Sequence, residues 1–274
     1  MIKFFRNIRK KIIAENSSII KNTNYLKYAL GEIVLVVIGI LIALQVNNWN
    51  ETRLEQKRIK QYAKSLVQDL KNDIDMLLVS QFQAQKKYKD IDSLRHYINQ
   101  TPYSNLSNTD LYVLAHDIIY RPYKWNRTTI NELKNSGGLR YITNDSLQKK
   151  LVAYESFSSH LDEDFEFDKS NSDKADNMMV LLLNLNSPFI SEIIISENNS
   201  FNNPSFNIYA TEEYKVSKAN DLKLISYDEM LIQKFTNTFI LIQDNYRIRA
   251  FSEMPEIIDD AYELINILKK EYNL

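Results

Sequence analysis

The pattern of apolar and polar residues changes abruptly along this chain, and the first helix that it predicts is almost wholly apolar. Residues 29–46, ALGEIVLVVIGILIALQV, contain two polar side chains, Glu32 and Gln45, and both lie near the ends. As a helix, residues 28–49 would be roughly 33 Å long, which is enough to cross the ~30 Å hydrocarbon core of a bilayer. A buried helix of a soluble protein is the alternative, but such helices seldom run so far without a polar face. We therefore predict a transmembrane helix at 29–49.

The pattern after the apolar run predicts long amphipathic helices. From residue 50 to about 99, apolar residues recur every three or four positions, and no glycine or proline intervenes before Pro102. Two further apolar stripes cover about 147–183 and 230–268, and short helices are expected between about 109 and 136. Since these stripes need one another to bury their faces, the predicted fold is mainly α. It consists of one N-terminal transmembrane helix that continues into an elongated antiparallel helical bundle.

One segment interrupts the helical pattern. Residues 186–224 contain Pro188, Pro204 and many Asn and Ser residues, which favour irregular structure. Within it, residues 193–196 and the FNIYA sequence at 206–210 are compatible with short strands. We expect this segment to be the least regular part of the domain and a surface for binding a partner.

A turn motif stands between the first and second stripes, at about 128–144. In this motif Thr128 or Thr129 is expected to cap a short helix that ends at Gly137. Gly137 is the residue best able to adopt the left-handed conformation that ends a helix, and Gly138 follows it. Asn144, or alternatively Thr143, is expected to cap the next helix. All of these features have a structural explanation.

Composition excludes several classes of protein. The chain has no cysteine, which excludes disulfides, thiolate metal sites, thiol nucleophiles and a lipidated N-terminal cysteine. It has four glycines, too few and too scattered for a glycine-rich phosphate-binding loop. The net charge is -1, and residues 1–28 hold seven Lys or Arg residues against Glu15 alone. The rest of the chain is therefore mildly acidic, which argues against nucleic acid as a partner.

The basic leader predicts the orientation of the membrane helix. Under the positive-inside rule, residues 1–28 lie in the cytoplasm, where their amphipathic pattern suits an anionic membrane surface. Five basic residues also follow the span, but a large domain translocates largely regardless of charge. The apolar run is too long for a cleaved signal peptide and lacks a small-x-small site, so we expect a retained signal-anchor. The predicted organisation is a cytoplasmic leader at 1–28, the span at 29–49 and a periplasmic helical domain at 50–274.

Small and charged residues within the span give weak indications of helix packing and of charge pairing. Gly39 and Ala43 form a small-xxx-small pair, which is a candidate surface for packing against a second membrane helix. Glu32 lies about one turn inside the cytoplasmic boundary and is expected to reach the interface or to pair with a basic residue such as Lys27.

Candidate chemistry is sparse in the rest of the chain. His96, His116 and His160 are too far apart to show metal-ligand spacing, so zinc would need the fold to bring them, or two of them and a carboxylate, together. An acidic run follows His160, and a solvated helix face is the favoured interpretation, because the run lacks the pattern of a calcium loop. Its members are Asp162, Glu163, Asp164, Glu166 and Asp168. The sequence predicts no catalytic residue, no cofactor and no metal site.

Two sequence motifs resemble those of a known family. The string GEIVLVVIGILIALQVNNWNE at 31–51, preceded by the basic leader MIKFFRNIRKK, is similar to the N-terminal anchor of an uncharacterised bacterial family. The segment ELKNSGGLRYITNDSLQKKLVAYE at 132–155 also resembles an internal motif of that family. Its members are single-span membrane proteins known mainly from Gram-negative bacteria. The resemblance implies membrane anchorage and a mostly helical extracytoplasmic domain, and it transfers no catalytic residue.

Two classes of function remain compatible with the sequence. The first is a membrane-anchored interaction, sensory or scaffold module of the cell envelope. Its partners would be the lipid bilayer and either another envelope protein or further copies of itself. The second is a membrane-tethered hydrolase of unfamiliar type that acts on an envelope substrate. A deep pocket that collects His116 or His160 with several carboxylates would favour the hydrolase.

Overall fold

The predicted mainly α fold is confirmed by the structure, a computed structural model that describes residues 23–116, 123–186, 190, 192–193 and 206–274. These residues form α-helices and short helical turns, and no β-strand occurs among them. The α-helices are α1 (Thr23–Gln100), α2 (Asn108–Ala115), α3 (Thr128–Asn135), α4 (Asp145–Leu182), α5 (Glu212–Ala219), α6 (Glu229–Ile248) and α7 (Met254–Tyr272). Three 3₁₀ turns lie at Tyr103–Asn105, Gly138–Tyr141 and Ile208–Ala210, and a π-helical turn lies at Arg249–Glu253.

The chain divides into two compact units, Met1–Arg58 and Ile59–Leu274. The described part of the first unit is the beginning of α1, where every side chain from residue 28 to residue 50 is exposed. One 18-residue window of α1 has a mean hydropathy of 2.5, and none of that window is buried. Among the described residues, α1 is one helix long and apolar enough to cross a membrane. The basic leader at 1–22 lies outside the described residues.

The second unit buries its apolar side chains in two separate clusters. The first core joins α1 residues Ile59 to Leu77 with the beginning of α4 and with α7. The second core joins α1 residues Ala84 to Ile98 with α2, the end of α4 and α6. Phe235 and Phe239 in the second core are completely buried. Helices α1 and α4 therefore contribute to both cores, and α6 and α7 contribute to one each.

Core membership and cross-helix hydrogen bonds fix the directions of the helices. Lys60 Nζ donates to the Asn273 carbonyl at 3.1 Å, and Gln243 Nε2 donates to the Tyr88 carbonyl at 3.1 Å. The α6–α7 pair thus runs antiparallel to α1. Helices α1 and α4 run in the same direction, because the beginnings of both contribute to the first core and the ends of both to the second. The short helices between them return the chain to its starting end.

One predicted helix cap is confirmed, another is wrong, and a third cap is seen in the structure alone. Asn144 Oδ1 accepts from the Leu147 amide at 3.1 Å and begins α4, as predicted. Ser107 Oγ accepts from the Asp110 amide at 3.1 Å and begins α2. The prediction that Thr128 or Thr129 caps α3 is wrong. Both threonines lie inside that helix, which begins after Arg127 without a side-chain cap, and Thr129 is buried.

The segment at 186–224 is more helical than the sequence predicts. Ile193 and Ile208–Ala210 are helical, so the predicted strands are wrong at these positions, while residues 194–196 lie outside the described residues. Thr211 Oγ1 accepts from the Tyr214 amide at 3.2 Å and begins α5. Two glutamates in the first turn of α5 complement its N-terminus. The Thr211 cap and these glutamates favour a helix, and they outweigh the strand preference of Ile208 and Tyr209, which precede them.

Gly137 adopts the left-handed conformation predicted for it, with φ 67°. Apart from its chain neighbours, no residue lies within 4 Å of the position that its Cβ would occupy, so an added Cβ meets backbone strain and no clash. We expect Gly137→Val to lower the free energy of unfolding by about 1–3 kcal/mol, measured by urea unfolding of the full chain in detergent. Gly137→Asn is the matched control and should cost less, because Asn tolerates this conformation. Equal losses for both variants would contradict the backbone-strain explanation.

Candidate functional site

A polar layer separates the two apolar cores. In α4 it lies between Leu161 of the first core and Ala175 of the second, and between α6 and α7 it coincides with the π-helical turn. Its central side chain is Arg249, which is 5% exposed. We call the group around this side chain the Arg249 cluster; its members are His160, Asp164, Asp168, Arg249 and Glu253.

Arg249 binds three carboxylates from two elements. Its Nη2 and Nε donate to Asp168 Oδ2 at 3.1 Å and 3.3 Å. Its Nη1 donates to Asp164 Oδ2 at 2.9 Å and also to Glu253 Oε2. A guanidinium has a planar set of donors, so it is well suited to hold several carboxylates at once. Arg249 therefore ties α4 to the turn that joins α6 and α7.

The cluster holds more negative than positive charge. Asp168 is buried, and its Oδ1 accepts from Asn245 Nδ2 at 3.0 Å. Burial raises the pKa of the Asp168 carboxyl despite the opposing effect of Arg249. His160 Nε2 lies 3.1 Å from Asp164 Oδ2 and 3.6 Å from Glu253 Oε1. With three carboxylates against one guanidinium, the cluster has a formal charge of -2 when His160 is neutral.

The π-helical turn positions two members of the cluster. Arg249 is its first residue and Glu253 its last, and both side chains point to α4. The Ala250 carbonyl in this turn accepts from Gln81 Nε2 of α1 at 3.0 Å. π-Helical turns are rare in proteins, and those that occur are often found at functional sites. The turn therefore directs Arg249 inward at the boundary between the two cores.

A second polar network attaches the connector before α3 to the bundle. The buried Asp73 accepts from the Asn126 amide at 2.8 Å, from Asn126 Nδ2 at 2.9 Å and from Tyr154 OH at 3.1 Å. Burial and the neighbouring Asp73 charge both raise the pKa of the Tyr154 hydroxyl. Asp73 has partners on both of its oxygens, so its role in the described structure is to hold the connector.

Part of the acidic run takes part in this connector network. Asp162 accepts from Trp125 Nε1 at 2.9 Å and from Arg127 Nη2 at 2.8 Å. Arg127 also donates to Ser158 Oγ at 3.0 Å. A cavity of about 30 Å³ lies beside these residues, and its lining does not include His160. Such a volume suits one water molecule.

The predicted solvated face at Asp162–Asp168 is wrong for Asp168, which is buried, while Asp162 and Asp164 are partly exposed and paired. Asp162 pairs with Arg127, and Asp164 and Asp168 pair with Arg249. Glu163 and Glu166 are exposed, as predicted. The helical period explains the division, because Asp164 and Asp168 are four residues apart and share one side of α4.

The remaining predicted residues lie apart from the Arg249 cluster. Gly137, Gly138 and Asn144 form the turn between α3 and α4, where an added Cβ at Gly138 would meet Leu133 Cδ2 at 2.9 Å. Gly39 and Ala43 lie on the exposed apolar part of α1. The pairing of Lys27 with Glu32 falls on a side chain outside the described residues.

The three histidines do not come together in the described structure. His96 is exposed on α1. His116 is buried, stacks on Tyr112 at 4.5 Å between ring centroids, and holds its Nδ1 2.8 Å from the Tyr112 carbonyl. His160 alone lies with two carboxylates, Asp164 and Glu253.

Arg249 and Glu253 are functional candidates that the sequence analysis missed. The apolar stripe of α6, which contains Phe235, Phe239, Ile242 and Tyr246, continues at helical spacing to Arg249. A charged residue in phase with a buried stripe is a signal that the side chain has buried partners. The acidic run in α4 supplies the complementary charge.

Comparison with known proteins gives one similarity. The sequence model of a family of unknown function (DUF6090) matches residues 32–101. This match covers most of the apolar part of α1 and the rest of that helix, and it ends before the motif at 132–155. It supports similarity to an uncharacterised domain over these residues. No characterised protein and no solved structure matches the chain.

Proposed function

We propose that this chain is a membrane-anchored interaction module of the bacterial envelope, with a scaffold or sensory role. The apolar part of α1 would span the inner membrane once, with residues 1–28 in the cytoplasm and the helical domain in the periplasm. The single observation that supports this proposal best is the full exposure of an 18-residue window with mean hydropathy 2.5. Such a surface is stable in lipid and unfavourable in water.

The helical domain supplies the interaction surface in this proposal. Between α5 and α6, exposed apolar side chains include Ile225, at 62%, and in α5 Val216, at 40%. Val216 belongs to the segment at 186–224, and Ile225 directly follows it. This is the segment that the sequence predicts to be a binding surface. We therefore assign the partner, another envelope protein or a second copy of the chain, to this part of the domain.

The hydrolase alternative has less support. It requires His116 or His160 beside a substrate-sized cavity, and pockets for such ligands typically have volumes of several hundred Å³. Among the described residues, the cavity beside Trp125 and Arg127 is about 30 Å³, and neither His116 nor His160 lines it. The ring of His116 stacks on Tyr112.

Photocrosslinking in native membranes tests the interaction proposal. With p-benzoylphenylalanine in place of Ile225 or Val216, we expect a discrete crosslinked product in the envelope fraction. The same photoreactive residue in place of Val152, which is 56% exposed on α4, is the matched control and should give no product. A product of twice the chain's mass would identify a second copy as the partner. The proposal fails if neither position gives a product while the purified chain hydrolyses a peptidoglycan, glycan or ester substrate.

A further inference from the structure

We propose that His160, Asp164 and Glu253 form a binding site for a divalent transition-metal ion of the Zn²⁺ type. The sequence predicts no metal site, because its histidines show no metal-ligand spacing and its acidic run lacks the pattern of a calcium loop. The fold brings all three together at the edge of the Arg249 cluster. They offer one imidazole nitrogen and two carboxylate oxygens, a donor set that suits zinc.

Two of the three distances between these ligand atoms are close to those of a tetrahedral site. At zinc–ligand distances of ~2.0–2.1 Å, two ligands of a tetrahedral ion lie about 3.3 Å apart. His160 Nε2 lies 3.1 Å from Asp164 Oδ2 and 3.6 Å from Glu253 Oε1. All three ligand atoms lie within 4.8 Å of one another. A tetrahedral ion bound between them would leave a fourth position for water.

The charges around the site favour a cation. Arg249 is the positive group at the cluster, and Asp164, Asp168 and Glu253 outnumber it. A divalent ion would bring the formal charge of the cluster from -2 to zero. Arg249 binds Glu253 through Oε2, which leaves Oε1 directed to His160, whereas at Asp164 the same Oδ2 faces His160 and accepts from Arg249 Nη1 at 2.9 Å. Arg249 is thus a positioning residue that orients both carboxylate ligands.

The site is accessible from solvent, and its ligands favour zinc over calcium and magnesium. The His160 side chain is 53% exposed, so an ion reaches the site without opening of the domain. The i, i+4 spacing of His160 and Asp164 on α4 places two ligands on one helix face. Calcium and magnesium prefer six or more oxygen ligands, so a site with one nitrogen and three protein ligands discriminates against them.

Zinc titration of the full chain tests this proposal. The tag-free protein, purified in detergent and stripped of metal with a chelator, is titrated with Zn²⁺ by isothermal calorimetry. We expect binding of one ion per chain, and we expect His160→Gln to weaken it at least about tenfold. His96→Gln is the matched control, because His96 is an exposed histidine on α1, and it should leave the affinity unchanged.

Further variants separate metal binding from folding. Glu253→Gln should also weaken Zn²⁺ binding, although loss of its contact with Arg249 affects stability as well. His160→Gln changes a half-exposed side chain, so its far-UV circular dichroism spectrum should match that of the native chain. Absence of Zn²⁺ binding by the native chain would show that the group is an ion-pair network only. Equal binding by the His160→Gln variant, or tighter binding of Ca²⁺ than of Zn²⁺, would overturn the proposal.

Discussion

Replacing Arg249 with alanine is expected to lower the free energy of unfolding of the helical domain by about 3–5 kcal/mol. The reason is the buried charge that the substitution leaves behind. Asp168 is 4% exposed and receives both Nε and Nη2 of Arg249, and Asp164 and Glu253 also lose a donor. A carboxylate without its partner in a low-dielectric interior retains the desolvation cost and loses the compensating attraction.

Arg247→Ala is the matched control for this prediction. Arg247 lies two residues before Arg249, near the end of α6, is about half exposed, and pairs with the exposed Asp244 at 2.8 Å. Exposed pairs contribute little, so its loss should change the free energy of unfolding by less than about 1 kcal/mol. Urea unfolding of the full-length protein in detergent, followed by circular dichroism, measures both variants. An Arg249→Ala variant as stable as the control would contradict the role of the cluster.

A double variant distinguishes charge from packing. If the loss arises from an uncompensated carboxylate, adding Asp168→Asn to Arg249→Ala should recover about 1 kcal/mol or more. If the loss arises from the removed side-chain volume, the second substitution should recover nothing. The double-mutant cycle therefore assigns the effect to the ion pair or to the cavity.

The helices were predictable because their signals are local. The predicted stripe at about 147–183 lies on Asp145–Leu182, and the stripe at about 230–268 lies on Glu229–Ile248 and Met254–Tyr272. Periodic apolar residues, the cap at Asn144 and the glycine at 137 act within a few positions of each other. Such signals need no knowledge of the fold.

The arrangement of the helices was less predictable. An apolar stripe shows that a helix has a buried face, but it does not identify the helix that covers it. The parallel direction of α1 and α4 depends on the short helices that return the chain between them. The chain passes from α6 into α7 through a π-helical turn, and Pro255 lies in the first turn of α7, where proline is favoured.

The Arg249 cluster depends on contacts that are distant in sequence. Arg249 lies 81 positions after Asp168 and 85 after Asp164. Nothing in the acidic run distinguishes Asp168, which is buried, from Glu166, which is exposed, except its phase relative to Leu161. The phase of Asp168 relative to Leu161, taken together with Arg249 in phase with the α6 stripe, would have indicated that α4 pairs with the end of α6.

The prediction with the largest effect on localisation concerns the apolar part of α1. Replacing both Ile38 and Leu41 with arginine is expected to prevent membrane insertion, because each arginine at the centre of a span costs about 3 kcal/mol or more relative to an aliphatic residue. Leu54→Arg is the matched control on the same helix, beyond the apolar run, and should remain inserted. Alkaline carbonate extraction of membranes measures the outcome. Retention of the double-arginine variant in the extracted membranes would contradict a lipid-embedded span.

Labelling of single cysteines tests membrane anchorage and orientation most directly, since the native chain contains no cysteine. Lys10→Cys places a thiol in the basic leader, and Lys270→Cys places one at an exposed position of α7. Each variant is expressed in a Gram-negative host with a permeabilised outer membrane and treated with a membrane-impermeant maleimide. We expect Lys270→Cys to react in intact cells and Lys10→Cys to react only after the inner membrane is lysed. The opposite labelling pattern, or protection of both positions until lysis, would contradict a single span with its helical domain in the periplasm.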